Sequence, residues 1–227
     1  MANRPVFVPT TRENRFVQEL HVNFTWHPGM SMRQKQRSIA SLHESTLRIH
    51  GISPILEISS KSPDEIGVRL SAFNLQVSRN TAVSMSVESA FQGSKVFENG
   101  GPYIDLYKKP SREAKKDRRL YESGSLQRFE FLGHVWPLLP RTAFYDWLYI
   151  SALVDNPTLS DKLLEYAGFT DIEFNPKKSI NCQARAAALF VSLHRHDLLN
   201  HALLTPNHFI STLEGGTAAP YVQPPLL

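Results

Sequence analysis

Three polar side chains near the middle of the chain have types and spacing that suit acid–base or nucleophilic chemistry. In the segment 86–97, Glu88, Gln92 and Lys95 stand at positions i, i+4 and i+7. If the segment is helical, a carboxylate, an amide and an amine share one face. Spacing alone favours a solvated stripe, because such helix ion pairs are common and contribute only about a few tenths of a kcal/mol. The other interpretation is a pocket wall on which the three groups converge on a ligand.

Gly93, within this segment, counts against the solvated stripe without excluding it. A glycine inside a helix costs about 1 kcal/mol relative to alanine, which indicates close approach of another backbone or of a ligand. The segment is also followed by the glycine-rich loop 99–102 rather than by simple polar turn residues.

A second group of residues could bind phosphate. The segment 108–119 is strongly basic, and Glu113 and Asp117 are its only acids. Its cations are Lys108, Lys109, Arg112, Lys115, Lys116, Arg118 and Arg119. A solvated helix face and a patch that contacts the phosphates of a nucleic acid or a pyrophosphate are equally compatible with this pattern.

A third candidate is Asn181, which precedes an alanine-rich segment. It could be the N-cap of a helix whose free backbone N–H groups point at an anion, although a plain cap is the simpler interpretation. The nine histidines form no metal-ligand pattern, and the chain has no G-x-S-x-G, Walker or dinucleotide-binding motif.

Composition narrows the class of protein. The 227 residues include 41% hydrophobic and 20% charged residues, with a net charge of +4, which mildly favours polyanionic partners. The single cysteine, Cys182, excludes an intrachain disulfide and cysteine-based zinc sites. The N-terminus lacks the apolar region of a signal peptide, and no apolar run approaches the length of a bilayer span. We therefore expect a cytoplasmic protein.

The elements that must position these residues are mainly helices. Alternation of Val22, Phe24 and Trp26 predicts a strand, and the run 55–58 predicts another. Predicted helices cover residues 31–49, 87–97, 111–120, 142–154, 159–166 and 182–199, and residues 62–65 predict the start of another. Ile39, Leu42 and Leu47 form the expected buried face of the first helix. Gly51 and Gly168 are the expected ends of two of them. We expect one α+β domain, mostly α and multihelical with a minor β-sheet, over residues 1–204, and a loosely ordered tail rich in proline and glycine over 205–227.

The residues around Glu88 resemble the signature of the NADAR (NAD- and ADP-ribose-associated) family. In that family a Ser/Thr-x-Glu start is followed by Phe-Gln and then by Lys-x-Phe or Lys-Phe. The matching residues here are Ser86, Glu88, Phe91, Gln92, Lys95 and Phe97. Upstream, residues 70–73 resemble the family's Leu-Ser-Asn-Phe element and supply Ser71 and Phe73.

Further matches extend the resemblance over residues 68–193. Residues 112–115 fall where the family has an alanine and basic helix, and Trp147 lies on a helix like the one that follows. Asp171 falls in an acidic loop, and Asn181 opens the last helix. The strings 57–62, 90–103 and 174–181 resemble most closely the NADAR antitoxins that are paired with DarT-type DNA ADP-ribosyltransferases.

This resemblance implies a NADAR-like fold and a hydrolase that removes ADP-ribose from guanine bases of DNA, reversing a DarT-type toxin. Our hypothesis gives Glu88 the role of general acid/base. Lys95 either stabilises the ring-opened sugar electrostatically or attacks C1 to form a Schiff base that water resolves. No metal or cofactor is expected. The expected partners are ADP-ribosylated DNA, ADP-ribose as product and the cognate toxin, with no membrane.

The remaining site residues are expected to bind substrate. Gln92 and Asn181 would hydrogen-bond ribose or guanine, Phe73 or Trp147 would stack on a base, and Asp171 would orient a ribose hydroxyl or water. Ser71 belongs to the same substrate-binding group through its motif. The expected contacts to DNA phosphates are Lys108, Lys109, Arg112, Lys115 and Lys116.

Two other functions stay open at this point. One is an N-glycosidase of small phosphorylated intermediates of riboflavin synthesis, a chemistry to which NADAR relatives are also linked. The other is a non-catalytic antitoxin that neutralises its toxin by binding, for which the long apolar helix and the proline-rich tail would serve as an interface.

Overall fold

Helices and short strands alternate along the chain. The computed structural model describes residues 1–10, 16–78, 84–177 and 179–215; Lys178 and residues 216–227 of the predicted tail lie outside these ranges. In chain order the elements are β1 (Ala2–Pro9), β2 (Val17–Phe24), α1 (Met32–His50), β3 (Ile55–Glu57), α2 (Glu65–Arg69), β4 (Gln76–Val77), β5 (Met85–Ser86), α3 (Val87–Gly93), β6 (Lys95–Phe97), a 3-10 helix (Ile104–Lys108), α4 (Ser111–Lys115), α5 (Arg119–Glu122), β7 (Leu126–Phe131), β8 (His134–Trp136), α6 (Ala143–Val154), α7 (Pro157–Leu163), β9 (Gly168–Thr170), α8 (Gln183–Arg195), α9 (Leu199–Ala202) and α10 (Pro206–Leu213). The predicted α+β class is confirmed.

The largest described sheet has the strand order β2-β1-β9-β3. β1 pairs with β2 antiparallel over its whole length, from Ala2 opposite Phe24 to Pro9 opposite Val17. β9 lies antiparallel to β1 and parallel to β3. The ends of β2, β3 and β9 therefore point toward the end of the sheet at which β1 begins, which we call the pocket end.

α1 covers one face of this sheet. Ser31 caps its first turn by accepting a hydrogen bond from the Gln34 N–H at 3.3 Å, and Gly51 ends it with φ 68°, as predicted. Ile39 and Leu42 are buried against β1 and β2. Leu47 is 52% exposed, contrary to its predicted place in the buried face. The buried stripe continues instead through Ser45 and Thr46, which lie about 200° and 100° around the helix from Leu47.

The main core lies on the other side of the sheet, around α6 and α8. Every residue of α6 from Ala143 to Leu153 is buried, so this helix is apolar on all sides. Its start and end agree with the prediction to within one residue. α8 packs against α6 and against β1 and β9. These two helices are therefore the support on which the neighbouring pocket walls rest.

Several predicted helices are shorter in the structure. The predicted helix 87–97 ends at Gly93, and Lys95 begins β6, which pairs with β7. The predicted helix 111–120 is split into α4 and α5. The predicted helix 159–166 is α7, and Gly168 begins β9 instead of ending a helix. The predicted helix 182–199 is interrupted at Asp197, whose φ is 57°.

The predicted loose tail begins with a helix. α10 follows Thr205, whose hydroxyl caps it by accepting from the His208 N–H at 3.3 Å. Phe209 of this helix is fully buried, with its ring centroid 6.2 Å from that of Trp136. Residues 206–213 are thus part of the core, because one large aromatic side chain is enough to dock a short helix.

Candidate functional site

A pocket of about 990 Å³ opens beside α3. That volume is in the upper part of the range for cofactor-sized ligands. Its walls come from α3, α4, β7, the first turn of α6 and the loops 70–73, 138–141 and 171–181. Most of the residues predicted for the site line it: Ser71, Phe73, Glu88, Gln92, Lys95, Lys115, Asp171 and Asn181. The loops that the sequence separates by about a hundred residues are therefore brought to one cavity.

Glu88, Gln92 and Lys95 form a hydrogen-bonded chain along the α3 wall. The Lys95 Nζ donates to the Gln92 Oε1 at 2.7 Å, and the Gln92 Nε2 donates to the Glu88 Oε1 at 2.9 Å. Gln92 thus holds the amine and the carboxylate in a fixed relation. Glu88 is only 6% exposed, and its backbone N–H donates to the Ala72 carbonyl at 2.9 Å.

Lys95 reaches this wall by a different route from the one expected. It lies on β6 and not on the helix, because α3 ends at Gly93 and the chain turns there. Its ammonium group lies 4.9 Å from the centre of the Phe91 ring. Burial lowers the pKa of Lys95 to about 8, with Lys115 acting in the same direction and Glu88 opposing it.

Lys115 joins the site although the sequence indicated only a phosphate contact. Its Nζ lies 3.5 Å from the Glu88 Oε1 and 5.2 Å from the centre of the Phe73 ring. The Glu88 carboxylate is therefore in contact with the Lys115 amine and is linked to the Lys95 amine through Gln92. Because the side chain of Lys115 is 54% exposed, its position is the less constrained of the two.

Asp171 lies on the opposite wall of the pocket. Its Oδ1 accepts from the N–H groups of Glu173 and Phe174 at 3.0 and 3.1 Å, and its Oδ2 accepts from the Gln183 Nε2 at 3.1 Å. Burial and the nearby Glu57 carboxylate raise the pKa of Asp171 to about 8, in spite of these three donors.

Glu57 is a second buried carboxylate behind this wall. It accepts hydrogen bonds from the Ser59 hydroxyl at 2.6 Å, the Thr170 hydroxyl at 2.7 Å and the Ile172 N–H at 2.8 Å. Thr170 in turn contacts the His43 Nε2 at 2.8 Å, and burial lowers the pKa of His43 to about 4. Since Thr170 gives its hydroxyl proton to Glu57, the neutral His43 ring donates to Thr170.

Two polar atoms in the pocket wall have no hydrogen-bond partner among the described residues. They are the Ser71 Oγ, on a side chain that is 3% exposed, and the Asn181 Oδ1. Buried polar atoms are normally paired, so both atoms indicate a ligand that supplies the partner. Asn181 is not the predicted helix cap: Cys182 takes that position, with no side-chain bond to the helix.

Trp147 lies away from the pocket. It is 6% exposed and packs on Trp136, with ring centroids 5.0 Å apart. The aromatic groups that do line the cavity are Phe73, Phe91, Phe129, Tyr145 and Phe174. Tyr145 was predicted only as part of an apolar helix, because nothing in its spacing distinguishes a pocket-facing position from a core position.

Sequence reasoning also missed Arg141 and Gln183. Arg141 is exposed at the pocket wall and forms no ion pair or hydrogen bond with any described residue. Gln183 joins the two walls: its Oε1 accepts from the Ala72 N–H at 2.7 Å while its Nε2 donates to Asp171 and to the Ile58 carbonyl. Neither residue belongs to a recognisable motif, so only the fold reveals it.

The basic run of residues 108–119 is largely neutralised. Lys109 lies 3.1 Å from Asp117, and Arg119 forms ion pairs with both Asp117 and Asp105 at 2.7–2.8 Å. Arg118 pairs with Glu122 at 3.0 Å. The exposed cations that keep no acidic partner among the described residues of this run are Lys108, Arg112 and Lys116. The run is therefore a weaker candidate for a phosphate surface than its sequence indicates.

The described residues hold no cluster of three or more histidine, cysteine or acidic side chains that could bind a metal ion. In the same part of the chain, no helix has the length and hydropathy needed to cross a bilayer.

A family model described as "DarT1-associated NADAR antitoxin" matches residues 2–221, which is nearly the whole chain. No curated protein matches the chain.

Proposed function

Because the chain belongs to the DarT1-associated NADAR antitoxins, we propose that it is a hydrolase that removes ADP-ribose from guanine bases of DNA. On this proposal it reverses the modification made by a cognate ADP-ribosyltransferase toxin. The observation that carries the proposal is the Glu88–Gln92–Lys95 chain on the wall of a pocket large enough for ADP-ribose. A carboxylate and an amine of lowered pKa, held together in a partly closed cavity, suit cleavage of an N-glycosidic bond.

Glu88 acts on the leaving base. The bond to be broken joins ribose C1 to an exocyclic nitrogen, which leaves only when it gains a proton. Glu88 in its acid form donates that proton, and the carboxylate then takes a proton from the water that completes hydrolysis. Its burial and its fixed link to Gln92 keep the group in place for both steps.

Lys95 acts at C1 in one of two ways. As an ammonium group it stabilises the ring-opened sugar through its charge. As a neutral amine it displaces the base at C1, and the base leaves with the proton from Glu88. The ribose ring then opens as an amine proton passes to the ring oxygen, and water hydrolyses the resulting Schiff base to free the sugar and restore the amine. The lowered pKa of Lys95 supports the second role, because a Schiff base forms only from the neutral amine.

The opposite wall binds the rest of the substrate. Ser71, Asn181 and Gln92 supply hydrogen bonds to ribose or guanine, and Asp171 orients a ribose hydroxyl or the attacking water. Phe73 offers a half-buried ring on which a base stacks. On this proposal Arg141 and Lys115, which line the pocket, bind the pyrophosphate.

The test is hydrolysis of an oligonucleotide that carries ADP-ribose on guanine. We expect wild type to release ADP-ribose, and Glu88→Gln and Lys95→Met each to lower kcat by roughly a hundredfold or more. Lys162→Met is the matched control, because it removes an exposed lysine of α7 that does not line the pocket. It should retain wild-type activity.

Other outcomes would favour a different function. A wild-type protein that releases nothing, but forms a stable complex with the purified toxin on a sizing column, would be a binding antitoxin. A wild-type protein that cleaves only small phosphorylated N-glycosides would be a small-molecule glycosidase. Equal losses in Lys162→Met and Lys95→Met would remove the special role of Lys95.

A further inference from the structure

Four cations lie toward the pocket end of the large sheet, two of them against Trp26 and two on the exposed face of α1. They are Arg4 on β1 and Arg33, Lys35 and Arg37 in the first two turns of α1; together with Trp26 we call them the Trp26 patch. The Lys35 Nζ lies 5.1 Å and the Arg4 Cζ 5.6 Å from the centre of the Trp26 ring. Both cations are thus held by cation–π contacts, which reduces the entropy that they lose when they bind an anion.

No acid offsets this charge locally. Residues 1–10 and 21–43 contain no aspartate or glutamate. Within the described ranges, none of the four cations lies within ion-pair distance of a carboxylate. The basic run of residues 108–119 differs in this respect, because four of its seven cations, Lys109, Lys115, Arg118 and Arg119, are paired with acids. The Trp26 patch is therefore the stronger electrostatic attraction for a polyanion.

The arrangement does not serve the stability of α1. Its first turn contains no acidic residue, although the positive end of the helix dipole favours acids there. Arg33 and Arg37 stand at positions i and i+4, where like charges destabilise a helix by roughly 0.2–0.5 kcal/mol. An unfavourable charge pattern on an exposed surface indicates that the charge has another use.

The patch and the pocket lie at the same end of the sheet. Trp26 follows the end of β2, and the start of α1 follows it directly. Ser60 and Asp171, which line the pocket, follow the ends of β3 and β9. In the register that aligns Ala2 with Phe24 and Phe7 with Phe169, the ends of β2 and β9 point the same way, toward the beginning of β1.

From this geometry we infer that the Trp26 patch binds the sugar–phosphate backbone of the DNA strand that carries the modified guanine. The inference rests on the proposed function, since the pocket must hold the guanine-linked ADP-ribose. The nucleotides beside that guanine then place their phosphates on Arg33, Lys35 and Arg37. The patch gives affinity without reading sequence, as contacts to phosphate do in general.

The first test measures binding of an unmodified single-stranded DNA oligonucleotide by fluorescence anisotropy over a range of salt concentrations. We expect Arg33→Gln/Arg37→Gln to weaken binding roughly tenfold and to reduce the salt slope of log Kd by about 1.4, from about 0.7 for each lost phosphate contact. The control is Arg48→Gln/Lys162→Gln, which removes two exposed cations near the opposite end of the sheet. It should change Kd less than about twofold.

The second test uses the modified substrate in two sizes. For a long modified oligonucleotide, the patch variant should raise KM about tenfold and leave kcat unchanged. For ADP-ribosylated guanosine without flanking phosphates, it should behave as wild type.

Unchanged DNA affinity in the patch variant, or equal weakening in the control, overturns the inference. Unchanged DNA affinity with loss of toxin binding would make the patch a protein-docking surface. A wild-type protein that binds DNA through the patch yet hydrolyses no modified guanine would contradict the proposed function but not the DNA-binding role of the patch.

Discussion

At the scale of single residues, the chemistry of the pocket depends on where protons sit. Lys95 has a pKa of about 8, so roughly a tenth of its side chains carry a neutral amine at pH 7. Asp171 has a pKa near the same value and is mostly protonated at that pH. At neutral pH one wall of the pocket therefore carries the Lys95 ammonium group and the other carries the neutral Asp171 carboxyl. Both groups change protonation state over the same pH range.

The dependence of kcat on pH should separate the two roles of Lys95. If its neutral amine attacks C1, kcat rises with pH and levels off above about 8, because deprotonation creates the reactive form. If its charge stabilises the sugar, kcat falls over the same range. The measurement is a pH–rate profile at saturating substrate.

Asp171 titrates in the same range, so the profile is repeated with Asp171→Asn. A rise or fall that persists in this variant belongs to Lys95. A profile that becomes flat in Asp171→Asn assigns the titration to the carboxyl and would contradict a role for the protonation state of Lys95.

Sequence alone located the carboxylate, amide and amine of the site but not the reason for their proximity. The spacing of Glu88, Gln92 and Lys95 indicated one helix face, and the pairs Glu88–Gln92 and Gln92–Lys95 are in contact. Lys95 arrives there from a strand, which periodicity does not distinguish from one more helical turn. Arg141 and Gln183 join the site only through tertiary packing, so no local pattern could identify them.

At the scale of elements, the site depends on how α3 is seated. This helix has seven residues, too few to be stable alone, so its place comes from packing. Ser86 caps its start by accepting from the Ser89 N–H at 3.1 Å, and Gly93 ends it against the 3-10 helix. A Cβ built on Gly93 would come within 2.5 Å of the Tyr107 ring and 3.0 Å of the Tyr103 carbonyl. The close approach that the sequence indicated at Gly93 is thus to a tyrosine.

Gly93→Ala should therefore disturb both stability and activity. The extra methyl group overlaps an aromatic ring and a backbone carbonyl, so we expect a loss of about 1–3 kcal/mol in the free energy of unfolding, measured in urea. The activity on modified DNA should fall as well, because Gln92 and Lys95 flank the displaced residue.

The control for this change is Gly51→Ala. A Cβ on Gly51 meets no atom within 4 Å, but φ is 68°. It should cost about 1 kcal/mol through backbone conformation only and leave activity unchanged. A Gly93→Ala protein as stable as wild type would show that the 3-10 helix adjusts freely and does not fix α3.

At the scale of the whole molecule, the sequence predicted the class of fold but not its topology. Periodicity gives individual helices such as α1 and α6, and the cap and stop residues of α1 fixed its ends. The insertion of β9 between β1 and β3 joins segments about 110–160 residues apart, which no local pattern shows. The packing of α10 through Phe209 was not predicted, because the proline and glycine content of the last segment indicated a loosely ordered tail.

The positions of the three tryptophans give the protein two optical reporters. Trp136 and Trp147 are buried, with ring centroids 5.0 Å apart and planes tilted by 46°, close enough for their transitions to couple. They should give a near-ultraviolet circular dichroism band that follows core packing. Trp26 is half-buried beside two cations and should emit at longer wavelength. A DNA strand on the patch should change that emission and leave the core band as it is, and Trp26→Phe should abolish only the emission change. Ligand occupancy and folding would then be readable from one unlabelled sample.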